Sequence, residues 1–242
     1  RPIQTGMAPG YRFRLRRRDH RGGPQAQLGT RSSGEMTMAS VSSTELAGDA
    51  AIRRTIEALE ANNMEAMVVS SGAEALAKLK ELLPEGAEIY NNTSETLDAI
   101  GFTEFVHGNP SFRNLHDDML AESDPVKQRD IRRRATLADY FIGSVQSIAE
   151  TGEVVVASGS GSQIAAYVFS ASHVIWVAGT QKICPSLDHA VARARGYTVD
   201  RHDVWLVEQG RNPSTVGKLL ISEREAVAGR TTAVLIKESL GW

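Results

Sequence analysis

Residues 138–163 constrain this chain more than any other stretch. Tyr140-Phe141-Ile142-Gly143 and Val154-Val155-Val156-Ala157 are short apolar runs, and the second empties into Ser158-Gly159-Ser160-Gly161-Ser162-Gln163. The pattern predicts strand, short helix, strand, then a Gly/Ser loop opening into another helix. That order presents backbone amides just past a buried strand, where α/β proteins hold anions. A second apolar run, His173-Val174-Ile175-Trp176-Val177-Ala178, ends in Gly179-Thr180-Gln181-Lys182-Ile183, which sets a cation at a second strand exit.

The chain upstream alternates in the same way. Thr44 is read as the N-cap of a helix through Asn62, with Leu46, Ile52, Ile56 and Leu59 broadly on one face. Met67-Val68-Val69 reads as a strand, Ser71 caps a helix to Leu83, Ala87–Tyr90 returns as strand, and Asn91–Ser94 turns into a helix over Glu95–Ile100 that Gly101 ends. Residues 109–137 read as charged helix, with Asp124-Pro125 as N-cap and first-turn proline, forming a linker or lid. Past Ile183 the pattern gives a helix from Pro185 to Arg195, a short strand at Val204–Val207, and two last strands, Val216–Ile221 and Thr231–Ile236, expected to pair antiparallel at a sheet edge. Alternating strands and helices predict an α/β fold of three layers with a mainly parallel sheet and its site at the strand carboxyl ends. Within residues 39–242 the expected parts are 44–108, the linker 109–137, and the motif-bearing 138–242.

Charge separates the first 38 residues from the rest. They hold eight arginines against Asp19 and Glu35, a net of +6 in a chain of −2, which leaves −8 on residues 39–242. We read 1–38 as a disordered extension: upstream sequence before a natural start at Met36 or Met38, ahead of a transit peptide or a nucleic-acid arm. The acidic remainder argues against nucleic acid as a partner. A lone cysteine, Cys184, excludes a disulfide framework and any iron–sulfur cluster held by this chain alone, and suits a cytoplasmic setting. No apolar run reaches the ~18–20 residues of a spanning helix.

The Ser158–Gln163 loop suits a carboxylate or phosphate, since its glycines permit close approach and its serines add donors. It is neither a P-loop nor a full G-x-G-x-x-G, and a plain strand–helix turn is the competing reading. Lys182 is positioned to neutralise such an anion, against the alternative of a solvated lysine, and Thr180 and Gln181 are candidate donors to the same ligand. Glu153 is a candidate general base or metal ligand beside the more frequent outcome of a turn carboxylate. The histidines carry no zinc spacing, His116-Asp117-Asp118 reads as a charged helix face, and Cys184 reads as a small buried residue. Gly159-Ser160-Gly161 lacks the wider elbow of serine hydrolases.

Three pieces, Ala138-Asp139 through Ala149-Glu150-Thr151-Gly152, the turn at 158–163, and Gly179-x-x-Lys182-Ile183 with Pro185, resemble in order the lactate-utilisation (LUD) domain family, which includes LutC/YkgG-like proteins. Asn92–Gly101, Gly217–Ile221 and Gly229–Ile236 extend the resemblance over residues 50–242. It implies a fold similar to that of NagB, RpiA and the CoA transferases, and a cytoplasmic accessory role in lactate or organic-acid utilisation beside iron–sulfur and oxidoreductase subunits. It also implies a second polar lip at Thr93, Ser94, Glu95 and Thr96 facing the Gly/Ser loop, and Asn is common in the family where this chain has Gln181. Two alternatives stay open: an enzyme acting on a phosphosugar, acyl-CoA or small carboxylate, with Glu153 moving a proton and Lys182 stabilising charge, and a non-catalytic scaffold. A homo-oligomer is compatible with all three.

Overall fold

The computed structural model describes residues 44–213 and 215–242; the reading of residues 1–38 lies outside them. Six parallel strands form a central sheet: β1 (Glu65–Val69), β2 (Glu88–Asn91), β3 (Arg113–Asn114), β4 (Tyr140–Gly143), β7 (His173–Gly179) and β10 (Thr231–Ile236). Their order is β1-β10-β7-β4-β2-β3. A separate mixed sheet runs β8-β5-β6-β9, built from β5 (Ser147–Ala149), β6 (Val154–Ser158), β8 (Ile183–Cys184) and β9 (Lys218–Ser222). The helices are α1 (Asp49–Ala61), α2 (Gly72–Leu82), α3 (Glu95–Ala99), α4 (Phe102–Val106), α5 (Leu115–Ala121), α6 (Pro125–Arg134), α7 (Leu187–Arg195) and α8 (Tyr197–Glu208).

Strand alternation sorts the core into layers. Ile89, Ile142, Ile175, Val177 and Val234 point to one face of the central sheet, against Ala75 and Leu79 of α2 and Leu97, Phe102 and Val106 of α3 and α4. Tyr90, Phe141, Val174, Trp176 and Leu235 point to the other face, against Ile52 and Leu59 of α1 and Ile148, Val154 and Val156 of the small sheet. The small sheet turns Ala149, Val155 and Cys184 outward onto Ala190 and Ala194 of α7. The result is the expected α/β architecture of helices flanking a mainly parallel sheet, with the small sheet as an added layer.

Several local expectations are corrected. The first helix starts at Asp49, not Thr44, after Gly48 with no side-chain cap. Residues between β4 and β6 form β5 and not a short helix: Ser147, Ile148 and Ala149 are all buried, and Gly152, at φ +97°, lets the chain reverse into β6. The Gly/Ser loop opens into a π-helical turn, Ala166–Ser170, in place of a regular helix. Val204–Val207 lies within α8, because a four-residue apolar run is compatible with either element and its context decides. The antiparallel edge pair exists, but β9 pairs with β6, and β10 lies parallel between β1 and β7. Burial accounts for the difference: every residue of β10 is buried, as a central strand requires, whereas β9 is half-exposed as an edge strand.

Arg230, just ahead of β10, anchors the π-helical turn. Its guanidinium donates to the carbonyls of Ala166 (2.7 Å), Tyr167 (3.0 Å) and Ala171 (3.1 Å), and to Glu225 Oε1 at 2.7 Å. Thr231 Oγ1 donates to the same carboxylate oxygen at 2.8 Å.

Candidate functional site

Because the central strands are parallel, β2, β4, β7 and β10 all release the chain at the same edge of the sheet, and four segments converge there. After β2, Asn92-Thr93-Ser94 leads into α3, where Ser94 Oγ accepts from Leu97 N at 3.4 Å. After β4, Gly143 leads to Ser144; a Cβ on Gly143 would overlap Tyr167 Oη, which donates to Ser144 O at 3.3 Å, so only glycine fits. After β7, a 3-10 turn over Thr180–Lys182 carries the chain across to β8 in the small sheet, which seats Lys182 at the crossing between the two sheets. After β10, the tail from Lys237 brings Leu240, Gly241 and Trp242 back over this edge.

Lys182 is only 1% exposed. Its ammonium donates to Ser144 Oγ at 2.9 Å and to Thr96 Oγ1 at 3.1 Å. Thr96 in turn donates to Leu240 O at 3.2 Å, which orients its lone pairs toward the lysine. An ammonium has three donors and two are used. No carboxylate pairs with Lys182 among the described residues. Burial in this low-dielectric floor, assisted by the nearby Arg193 guanidinium, pulls its pKa down to about 7.

Lys182 forms the floor of a cleft of about 470 Å³. Asn92 through Thr96 form one lip, and Ser158, Gly159, Ser160 and Gln163 another, so both expected polar segments line the same cleft as Lys182. Glu95 faces the cleft with its carboxyl pKa raised by burial and, secondarily, by Asp98. Two loop amides are already occupied: Gly161 N donates to Ser158 Oγ (2.8 Å) and Ser162 N to Ser160 Oγ (3.3 Å), and Gly161 and Ser162 lie outside the lining. Ser158 Oγ also donates to Gln163 Oε1 at 2.9 Å. The loop therefore offers the cleft the Ser160 hydroxyl more than a converging ring of amides.

Besides Gly161 and Ser162, three expected site residues are placed elsewhere. Thr180 and Gln181 are buried behind the cleft, where Gln181 Nε2 donates to Leu240 O at 2.9 Å and holds the tail that carries Trp242. Glu153 sits in the β5–β6 turn, bonded to Thr151 Oγ1, and does not line the cleft. Asp117 pairs with His107, at 2.6 Å, while the ring of His116 packs on Tyr90. The Cys184 thiol is buried and its pKa is pushed up to about 11. Among the described residues no three His, Cys, Asp or Glu side chains gather to hold a metal, and no helix is long and apolar enough to cross a membrane.

Sequence reasoning missed Ser144 and the far wall, where Arg132, Thr198, His202, Trp205, Arg211 and Trp242 line the cleft. Ser144 carried a related signal, a polar residue one step past the strand-ending Gly143, as Lys182 lies three past Gly179. His202 and Trp205 were hidden by reading 204–207 as strand; as helix, their spacing of three puts them on one face.

The sequence profile described as "LUD domain" matches residues 52–204. No curated protein matches this chain. Among solved structures, a DUF162 family protein from Deinococcus radiodurans is similar at 15% identity and a TM-score of 0.49, over 79% of this chain and 99% of that one.

Proposed function

This chain belongs to the LUD domain family, and on that premise we propose that it binds a small organic anion, a carboxylate or phosphate, on Lys182, as a cytoplasmic accessory subunit in the utilisation of lactate or a related organic acid. In this role iron–sulfur and oxidoreductase partners carry the electrons, and this chain contributes the anion cleft and a docking surface. The observation that supports the reading is the unclaimed third donor of a buried ammonium without a counter-ion, set at the floor of an open cleft. A buried charge lacking its partner is costly, and an arriving anion removes that cost. Ser160 on one lip and Thr93 and Ser94 on the other supply further donors.

Calorimetric titration with lactate, pyruvate and inorganic phosphate between pH 6 and pH 9 tests this. One ligand is expected to bind with an affinity that falls as pH rises through the Lys182 pKa, and Lys182→Ala is expected to weaken it by roughly 10- to 100-fold, the worth of one charge-assisted hydrogen bond. Equal affinity in wild type and variant, or no pH dependence, removes the proposed role of the lysine.

A second reading is favoured by the pairing of Glu95, pKa raised, with Lys182, pKa lowered, across one cleft. Here the protein is an enzyme on a phosphosugar, acyl-CoA or small carboxylate, as are relatives of the NagB/RpiA/CoA-transferase superfold. Glu95, rather than Glu153, moves the proton, and Lys182 stabilises developing negative charge. Turnover of a bound ligand that is lost in Glu95→Gln, with binding retained, selects this reading. Silence towards every ligand selects a scaffold.

A further inference from the structure

The cleft is larger than a three-carbon acid needs. Its volume, about 470 Å³, falls in the ~300–1,000 Å³ range of clefts that take drug-sized ligands. Its far wall has a distinct chemistry. The His202 and Trp205 rings stack with centroids 5.7 Å apart and planes at 16°, and Trp242 lies against both at 6.3 and 6.5 Å. All three line the cleft that Lys182 floors, as does Arg211. Burial, opposed by Asp203 and assisted by Arg211, lowers the His202 pKa and keeps the imidazole a neutral ring at neutral pH. Thr198, on the same wall and 4% exposed, has a hydroxyl with no hydrogen-bond partner.

Aromatic rings that pack on one another and also line a polar cleft offer a further planar ring a surface to join the cluster. The tail that delivers Trp242 is held by Thr96, which also accepts from the lysine, and by Gln181, the residue before Lys182: Thr96 Oγ1 and Gln181 Nε2 both donate to Leu240 O. The two ends of the cleft are thus built as one unit.

We propose that the ligand is bipartite: an anionic group on Lys182, joined to a planar heteroaromatic ring that packs on Trp205 and Trp242, as in a nucleoside monophosphate. This rests on the anion reading above and extends it by a ring subsite.

Titration of the full chain with AMP, UMP, ribose 5-phosphate, inorganic phosphate and adenosine, read by calorimetry and by quenching of tryptophan fluorescence, separates the two parts. At least one nucleotide is expected to bind about tenfold or more tighter than ribose 5-phosphate, the scale of one ring stacked on an aromatic side chain. Trp205→Ala is expected to erase that advantage while leaving phosphate affinity unchanged, and Lys182→Met to weaken every phosphate. Should Trp205→Ala fail to fold, Trp242→Ala carries the same expectation. Nucleotides binding no tighter than ribose 5-phosphate overturn the ring subsite and leave the anion reading standing. No phosphate binding at all overturns the bipartite ligand and confines the anion reading to carboxylates. Nucleotide binding indifferent to both tryptophans overturns the assignment of the wall.

Discussion

Arg230 and Lys182 both carry positive charge into the interior, at opposite edges of the central sheet. At the amino edge, Arg230 has a side chain 11% exposed, a carboxylate from Glu225 at 2.7 Å, and three backbone carbonyls for its remaining donors. At the carboxyl edge, Lys182 is 1% exposed and has only two hydroxyls, both neutral. The first cation is cancelled within the fold, so it serves to fasten β10 to the π-helical turn. The second is left with charge and a donor to spare beside a cleft, which is the asymmetry the proposed anion would remove.

The comparison breaks most visibly through stability. Glu225→Ala strands Arg230 as a buried uncompensated charge and is expected to cost about 3–5 kcal/mol in urea unfolding. Lys182→Met keeps the apolar stem and deletes a charge that the empty fold does not neutralise. Its stability is expected to equal or exceed that of the parent below pH 7, where the buried lysine is charged. A Lys182→Met variant as crippled as Glu225→Ala would mean that the lysine is a structural cation after all.

The pH dependence sharpens the contrast. Lys182 titrates near 7 in the folded chain against 10.5 ordinarily, so between those values the unfolded chain binds more protons than the folded one. Stability must therefore rise with pH across that window, by up to about 1.4 kcal/mol per pH unit, and the full penalty holds below it. Subtracting the Lys182→Met profile from that of wild type isolates this slope. A flat difference between pH 7 and pH 10 shows that the ammonium is already neutralised, and the two edges would then be alike.

How much of this was legible in the sequence follows from where side chains meet. The strands β4, β6 and β7 announce themselves as short apolar runs ended by glycine or serine, so the strand exits that carry Ser144, Ser158 and Lys182 follow from local pattern, while the second lip at Thr93–Thr96 was legible only through the family resemblance. What pattern cannot carry is partner choice. Thr231–Ile236 and Val216–Ile221 look like hairpin strands because they are sequential, yet β10 is buried on both faces and goes to the central sheet, while β9 caps an edge of the small one. The same limit explains Thr180 and Gln181: they adjoin Lys182 in sequence, but the 3-10 turn separates the three directions, and only the lysine faces the cleft. Trp242 could not be placed without knowing that Thr96 and Gln181 hold the tail over the sheet edge.

The smallest effect probes the hydroxyls. Ser144→Ala removes one of the two acceptors of the Lys182 ammonium, at about 0.5–1.5 kcal/mol, and only while the lysine is charged. The cost is therefore largest below pH 7 and fades as the amine loses its proton, and the stability slope begins at lower pH than in wild type because the ammonium is less well solvated. At the other edge, Thr231→Val removes a hydroxyl donor from Glu225, a loss of similar size. There the carboxylate keeps Arg230, so the cost stays constant over the same pH range. Paired unfolding curves of these variants at pH 6 and pH 9 read the difference directly: a pH-dependent loss at Ser144 and a pH-independent one at Thr231 distinguish a cation waiting for its partner from one that already has it.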